Sequence, residues 1–158
     1  MRFMLPDRDV LVRTIRIPAA HGSIPALLFL PRTVPVEATG VLWLHGGGYA
    51  VGMKEMVHMS RAVGLVKHFG AVVLAPGYRL SLQSPYPAAM DDCYAALLYL
   101  KEHSTALGIR PGQIMVGGES AGGGLCAAVC IRARDTGAVN VAFQMPLYPM
   151  LDDRDTET

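Results

Sequence analysis

Residues Val116 to Gly124, VGGESAGGG, limit what this chain can fold into more sharply than any other stretch. They follow a short apolar run and open a helical pattern. The frame Gly118-x-Ser120-x-Gly122 sets a serine on a tight strand-to-helix turn, where flanking side chains would collide with neighbouring backbone and glycine does not. On such a turn the Ser120 hydroxyl projects from the carboxyl edge of a parallel sheet. The amides of Ala121 and Gly122 then lie at the positive end of the following helix, where an anion is stabilised. This is the pattern of a nucleophile elbow. An ordinary glycine-rich turn with an exposed serine fits the same positions, so the frame needs a second feature before it points to chemistry.

The flanking sequence supplies the sheet. Val10 to Ile17 alternates with period two, Ile24 to Leu30 is a second strand, and His21-Gly22-Ser23 between them reads as a hairpin turn, making an antiparallel start. His21 is expected to be a turn residue only. A polar, proline-bearing connection leads to Val41-Leu42-Trp43-Leu44, an apolar run suited to a sheet covered on both faces. It ends in His45-Gly46-Gly47-Gly48-Tyr49. The spacing of Met56, Met59, Val63, Val66 and Phe69 predicts one helix, with Gly70 as its stop. Ala71 to Ala75 is the next strand, Pro76 to Pro87 a loop, and Ala88 to His103 a helix with Cys93, Ala96, Leu97 and Leu100 on its apolar stripe. Ile114 to Val116 enters the elbow, Ala121 to Arg134 leaves it as a helix, and Val141 to Leu147 is the last strand. Alternating strands and helices give an α/β class, a mostly parallel sheet with an antiparallel start. No repeat or linker divides residues 1–158, which are expected to form one unit.

Composition closes off several functions. Charged residues make up 17% of the chain, against about 25% in a typical domain. The net charge of +1 comes without a basic cluster, so nucleic acid and anionic membrane surfaces are not expected partners. No apolar run has the roughly 18 residues of a membrane span, and the start MRFMLPDRDV carries acidic residues where a signal peptide needs an apolar region. A soluble cytoplasmic protein is the expectation. Cys93, Cys126 and Cys130 lack the spacing of a zinc site and are expected to be buried free thiols. No metal or cofactor is called for.

The second feature is the glycine loop after His45. Two glycine-rich turns, each at the carboxyl end of a parallel strand, are expected to face one another where such sheets place ligands. Acyl transfer needs a nucleophile and, about 3 Å from the developing oxyanion, backbone donors. Ala121 can offer one amide and the loop the others.

Five segments, HGGGYA (45–50), GYRL (77–80), PYPAAMDD (85–92), GESAGGGL (118–125) and PLYPMLD (146–152), occur in the order and at about the spacing of the hormone-sensitive-lipase-like esterases, a branch of the α/β-hydrolases, which this chain resembles from Ile24 onward. The resemblance implies a short-chain carboxylic ester hydrolase acting on a small ester, with Ser120 as nucleophile and the amides of Gly47, Gly48 and Ala121 as the oxyanion hole. Gly46, Gly118, Glu119 and Gly122 shape the two motifs, and His45 supports its loop rather than acting as a base. Tyr78, Arg79 and Asp92 match positions that brace the loop beside the site.

The departures are equally specific. In this fold the order is Ser, then Asp or Glu, then His, yet no histidine follows Ser120. The acids after it, Asp135, Asp152, Asp153, Asp155 and Glu157, match no triad position. The resemblance implies a protein about twice as long, of which this is the N-terminal half, lacking the C-terminal strands and part of the cap. His68 and His103 are expected at the wrong edge of the sheet, and only His45 and His58 near the right one. The chain by itself is therefore expected to be nearly inactive. The alternative is a non-catalytic hydrolase that serves as a binding module or as half of an assembled pair. A dinucleotide site fits less well, because neither turn has the GxGxxG frame, and a thiol enzyme fits least. The Val141 to Leu147 strand, interior in the family, becomes an open edge here, which predicts a homo-oligomer.

Overall fold

A computed structural model of the chain describes residues 9–33, 35, 37–152 and 154. Asp153, Asp155 and Glu157, among the acids considered above, lie outside the described residues, as do the first eight positions. The elements run β1 (Val10–Ala19), β2 (Gly22–Pro31), β3 (Ala38–Leu44), a short 3-10 helix (Lys54–Met59), α1 (Arg61–Phe69), β4 (Val72–Pro76), α2 (Ala88–Glu102), β5 (Ile109–Glu119), α3 (Ala121–Thr136) and β6 (Val141–Leu147).

They form one six-stranded sheet in the order β1-β2-β4-β3-β5-β6. β1 pairs antiparallel with β2, and β2 antiparallel with β4, whereas the β4, β3, β5 and β6 ladders are parallel. This is the α/β class with an antiparallel start. The alternation of side chains along each strand splits the core in two. Leu42 and Leu44 of β3 face α2 and α3, against Leu97, Leu100, Cys126 and Val129. Val41 and Trp43 face the other way, against Val57, Ala62 and Val66. Both faces of the central strands are thus covered, which is why β3 and β4 read as unbroken apolar runs.

Two predicted elements differ. The single helix over Met56 to Phe69 is divided: the 3-10 helix ends at Ser60, whose hydroxyl accepts from the Ala62 amide and caps α1. Ser60 as an N-cap outcompetes the apolar periodicity. Met59 and Phe69, two of the residues whose spacing predicts the helix, are 82% and 75% exposed, while Val57 and Ala62 are buried. Gly70 does end the helix, in the left-handed conformation. β5 starts at Ile109, five residues earlier than the apolar run Ile114 to Val116, and its ladder with β3 shifts register where Pro111 and Gly112 pass. Of the cysteines, Cys93 and Cys126 are buried and Cys130 is half-buried; all three are free.

The sheet's two edges are unlike. β1 presents Arg13, Thr14 and Arg16 to solvent beside the exposed Leu11 and Val12. β6, VAFQMPL, carries no charge, pairs among the described residues only with β5, and leaves Phe143 57% exposed.

Candidate active site

Strand order fixes where a ligand can sit. From β3 the chain crosses to β4 on one side, and from β5 it crosses to β6 on the other. β3 and β5 are neighbours whose connections diverge, so the crevice at their carboxyl ends is the sheet's switch point. The loop beginning at His45 leaves β3 there, and Ser120 leaves β5 there.

Ser120 has φ 56° and ψ −118°, a region a non-glycine residue rarely enters. Its own peptide groups hold it. The Ser120 amide donates to the Leu147 carbonyl at 3.0 Å, and its carbonyl accepts from the Gly124 and Met150 amides, both at 3.1 Å. Its hydroxyl makes no capping bond to α3. Gly122 permits the turn, because a Cβ there would come within 2.5 Å of the His45 carbonyl oxygen and nearer still to that of Leu44. Gly118 is hemmed in the same way by the backbone of Gly122 and Leu44. Ala121 is wholly buried as the first residue of α3, where an amide has no acceptor within the helix.

The two glycine turns touch. A Cβ on Gly46 would lie 2.9 Å from the Glu119 carbonyl oxygen and 3.4 Å from the Ser120 Cβ, so the loop after β3 reaches the elbow only because position 46 is bare. The Gly47 carbonyl turns inward and accepts from the Ala50 and Val51 amides. The amides of Gly47 and Gly48 donate to no backbone carbonyl among the described residues. The Tyr148 phenol is raised above its ordinary value, by desolvation first and then by the neighbouring Glu119 carboxylate.

His45 braces the loop. Its ring is buried, stacks on Tyr78 at 4.2 Å with a 9° interplanar angle, and places Nδ1 2.8 Å from the Gly46 carbonyl. Nδ1 therefore carries the proton and Nε2 is an unpartnered acceptor among the described residues. Burial pushes the imidazole below its ordinary value of 6.5, against the hydrogen bond to Gly46, so the ring is neutral. The Tyr78 hydroxyl donates to the His45 carbonyl at 2.7 Å. Burial, and more weakly its Cys93 neighbour, holds that phenol well above its usual range. Asp92, 2% exposed, receives the Arg79 backbone amide at 2.9 Å and the guanidinium Nη2 at 2.8 Å.

His68 and His103 lie at the C-termini of α1 and α2, on the amino edge of the sheet and away from Ser120. His58 packs edge-on against Phe29 on the 3-10 helix. One histidine was underestimated. Because β2 runs antiparallel to β4, with Ala26 opposite Pro76, the β1–β2 turn lies at the carboxyl edge, and His21 Nδ1 sits 3.7 Å from Asp92 Oδ1. It has an acid partner, yet three to four strand spacings of about 4.8 Å separate it from β5, beyond reach of the serine.

The sequence also gave no account of the turn after β6. Residues 147–150 wrap the elbow through both peptide groups of Ser120, and the Tyr49 hydroxyl joins them by donating to the Met150 carbonyl at 2.9 Å. The motifs HGGGYA and PLYPMLD contained both partners, but nothing in their spacing showed that they meet.

Comparison with known proteins agrees with this fold. The profile of the alpha/beta hydrolase fold family matches residues 41–158. Esterase LipI of Mycobacterium tuberculosis is 36% identical over 146 residues, covering 89% of this chain and 44% of its own. Carboxylesterase NlhH of the same species is 35% identical over 149 residues, with 92% and 45% covered. Among solved structures, a bacterial heroin esterase superposes with a TM-score of 0.88 at 38% identity, over 98% of this chain and 48% of that one. A hyperthermophilic esterase from Pyrobaculum calidifontis gives 0.85 at 36% identity, over 94% and 47%. The chain spans about half the length of the relatives it matches. Among the described residues no helix is long and apolar enough to cross a membrane.

Proposed function

Since this chain belongs to the α/β-hydrolase fold family, we propose that it is the nucleophile-bearing half of a serine carboxylesterase that hydrolyses small carboxylic esters. The observation that carries this is the meeting of a strained Ser120 with the His45 loop at the switch point between β3 and β5. In the proposed reaction the Ser120 hydroxyl oxygen attacks the ester carbonyl carbon, and the carbonyl oxygen takes the electron pair as an oxyanion. The amides of Gly47, Gly48 and Ala121 receive it. The tetrahedral intermediate expels the alcohol, leaving an acyl-serine that water hydrolyses. His45, Gly46, Gly118, Glu119 and Gly122 set the shape of the two turns.

A serine hydroxyl needs a histidine to take its proton and an acid to orient that histidine. His45 is neutral but its free nitrogen is buried, His58 packs edge-on against Phe29, His68 and His103 are on the far edge, and His21 is several strands away. We assign the acid and the base to polypeptide outside these 158 residues, in keeping with relatives of about twice the length. Ser120→Ala in the polypeptide that supplies them should abolish hydrolysis of a p-nitrophenyl short-chain ester. Turnover that survives the substitution would overturn the assignment.

The uncharged outer edge of β6 favours a second property. We propose that the 158-residue chain by itself self-associates along β6, because an unpaired row of amides and carbonyls beside exposed apolar side chains is a template for another strand. A groove of about 630 Å³ between the end of α3 and β6, lined by Cys130, Val139, Val141 and Phe143 among others, runs beside that edge.

A further inference from the structure

We propose that Tyr49 is a positioning residue that keeps the oxyanion-loop amides in register with Ser120, by tying the loop after β3 to the turn after β6. The inference rests on the serine-hydrolase reading above and concerns how its two halves are held at a fixed separation.

The loop cannot do this unaided. Gly47 and Gly48 have φ of 126° and 59°, and consecutive glycines have many alternative conformations of similar energy. The elbow, by contrast, is fixed through the turn at 147–150, which exchanges hydrogen bonds with both peptide groups of Ser120. Tyr49 is the first side chain after the glycines. It too has a positive φ, 63°, and residues held in such conformations need support from their surroundings.

That support comes from two sides. The Ser81 amide donates to the Tyr49 carbonyl at 2.9 Å, fixing its backbone, while its hydroxyl donates to the Met150 carbonyl at 2.9 Å, across 101 positions of sequence. Met150 is gripped at both of its backbone groups, its amide by Ser120 and its carbonyl by Tyr49. The phenol lies so close over α3 that a Cβ on Gly124 would collide with the Tyr49 hydroxyl and the Met150 carbonyl. One rigid ring therefore spans from the oxyanion loop to the residue that holds the nucleophile. Burial raises the phenol above its usual value, so it remains a donor throughout the pH range of ester hydrolysis. A catalytic group misplaced by about 1 Å can lose on the order of 10²-fold in rate.

Tyr49→Phe keeps the ring and removes only the donor. The 158-residue chain is suited to the test, because without a triad histidine both delivery of an acetyl group to Ser120 and its removal are slow, so that a single acetylation can be followed over hours by intact mass at high p-nitrophenyl acetate. The expected result is a limiting acetylation rate about tenfold lower in Tyr49→Phe than in wild type. The half-saturating ester concentration and the melting temperature should be unchanged, and Ser120→Ala should take no acetyl group. Equal limiting rates in wild type and Tyr49→Phe, with Ser120→Ala inert, would overturn the role of Tyr49 and leave the serine assignment standing. Acetylation of Ser120→Ala as fast as wild type would overturn both. Should wild type acquire no measurable acetyl group, amide hydrogen exchange decides: the bonded amides of Met150 and Ser81 should exchange about tenfold faster in Tyr49→Phe, and unchanged rates refute the tie.

Discussion

Ser120 occupies a backbone conformation that costs roughly 1–3 kcal/mol, and three backbone hydrogen bonds hold it there. Substitutions around it should therefore act through backbone geometry. Gly122→Ala would push a methyl group against the carbonyls of Leu44 and His45. Neither is the end of a flexible side chain, so the cost should reach at least the roughly 1–3 kcal/mol of an overpacked core, read as a lower urea midpoint. His45 makes a pH-dependent contribution whose sign follows from its lowered value. Below 6.5 the unfolded chain takes up a proton that the folded ring refuses, so its stability is present above that pH and is lost as the pH falls through the folded value. The slope is at most about 1.4 kcal/mol per pH unit. Urea melts of wild type and His45→Asn at about pH 8 and about pH 5.5 should show the gap between the two proteins narrowing in acid; a gap that widens would mean that the ring is charged when folded.

At the scale of elements, α1 invites a stabilising change. Gly64 lies inside the helix, and a Cβ there would meet only the edge of His68 at 4.0 Å. Gly64→Ala should therefore gain about 0.5–1 kcal/mol, mostly from helix propensity, measured as a raised melting temperature. The same helix shows where sequence reading stopped. Strands β3, β4 and β6 were legible because burial on both faces, or a bounded apolar run, leaves a plain trace. The break at Ser60 was not, because Met56, Met59, Val63, Val66 and Phe69 keep helical spacing whether or not a cap interrupts them. Ser120 and the His45 loop were legible as motifs, since each needs glycine where backbones approach within contact. The Tyr49–Met150 bond and the His21–Asp92 pair were hidden, because they depend on which turns share an edge of the sheet, and that is set by strand order.

For the molecule as a whole, what matters is the separation of its two tasks. Binding and oxyanion stabilisation are proposed to reside in these residues and proton transfer elsewhere. The 158-residue chain should then hydrolyse p-nitrophenyl acetate at a rate close to that of its own Ser120→Ala variant. What remains in triad enzymes without the triad is roughly 10³–10⁴ over water. A large serine-dependent rate would mean that a base has been overlooked, and His58→Ala would be the first variant to measure. The contrast between the edges of the sheet carries a consequence for the size of any assembly. A strand edge that pairs with its own copy about a two-fold axis uses up both copies' edges, whereas growth into a fibre requires a second receptive surface on each molecule. β1, with Arg13 and Arg16 turned to solvent, is a poor acceptor of a further strand. Sedimentation of the chain at rising concentration should accordingly approach a dimer as its limit, with Phe143→Glu shifting it to monomer, instead of climbing a ladder of larger species. Polymerisation is expected only if β1 lost those charges, since each molecule would then offer two receptive edges in place of the single one proposed.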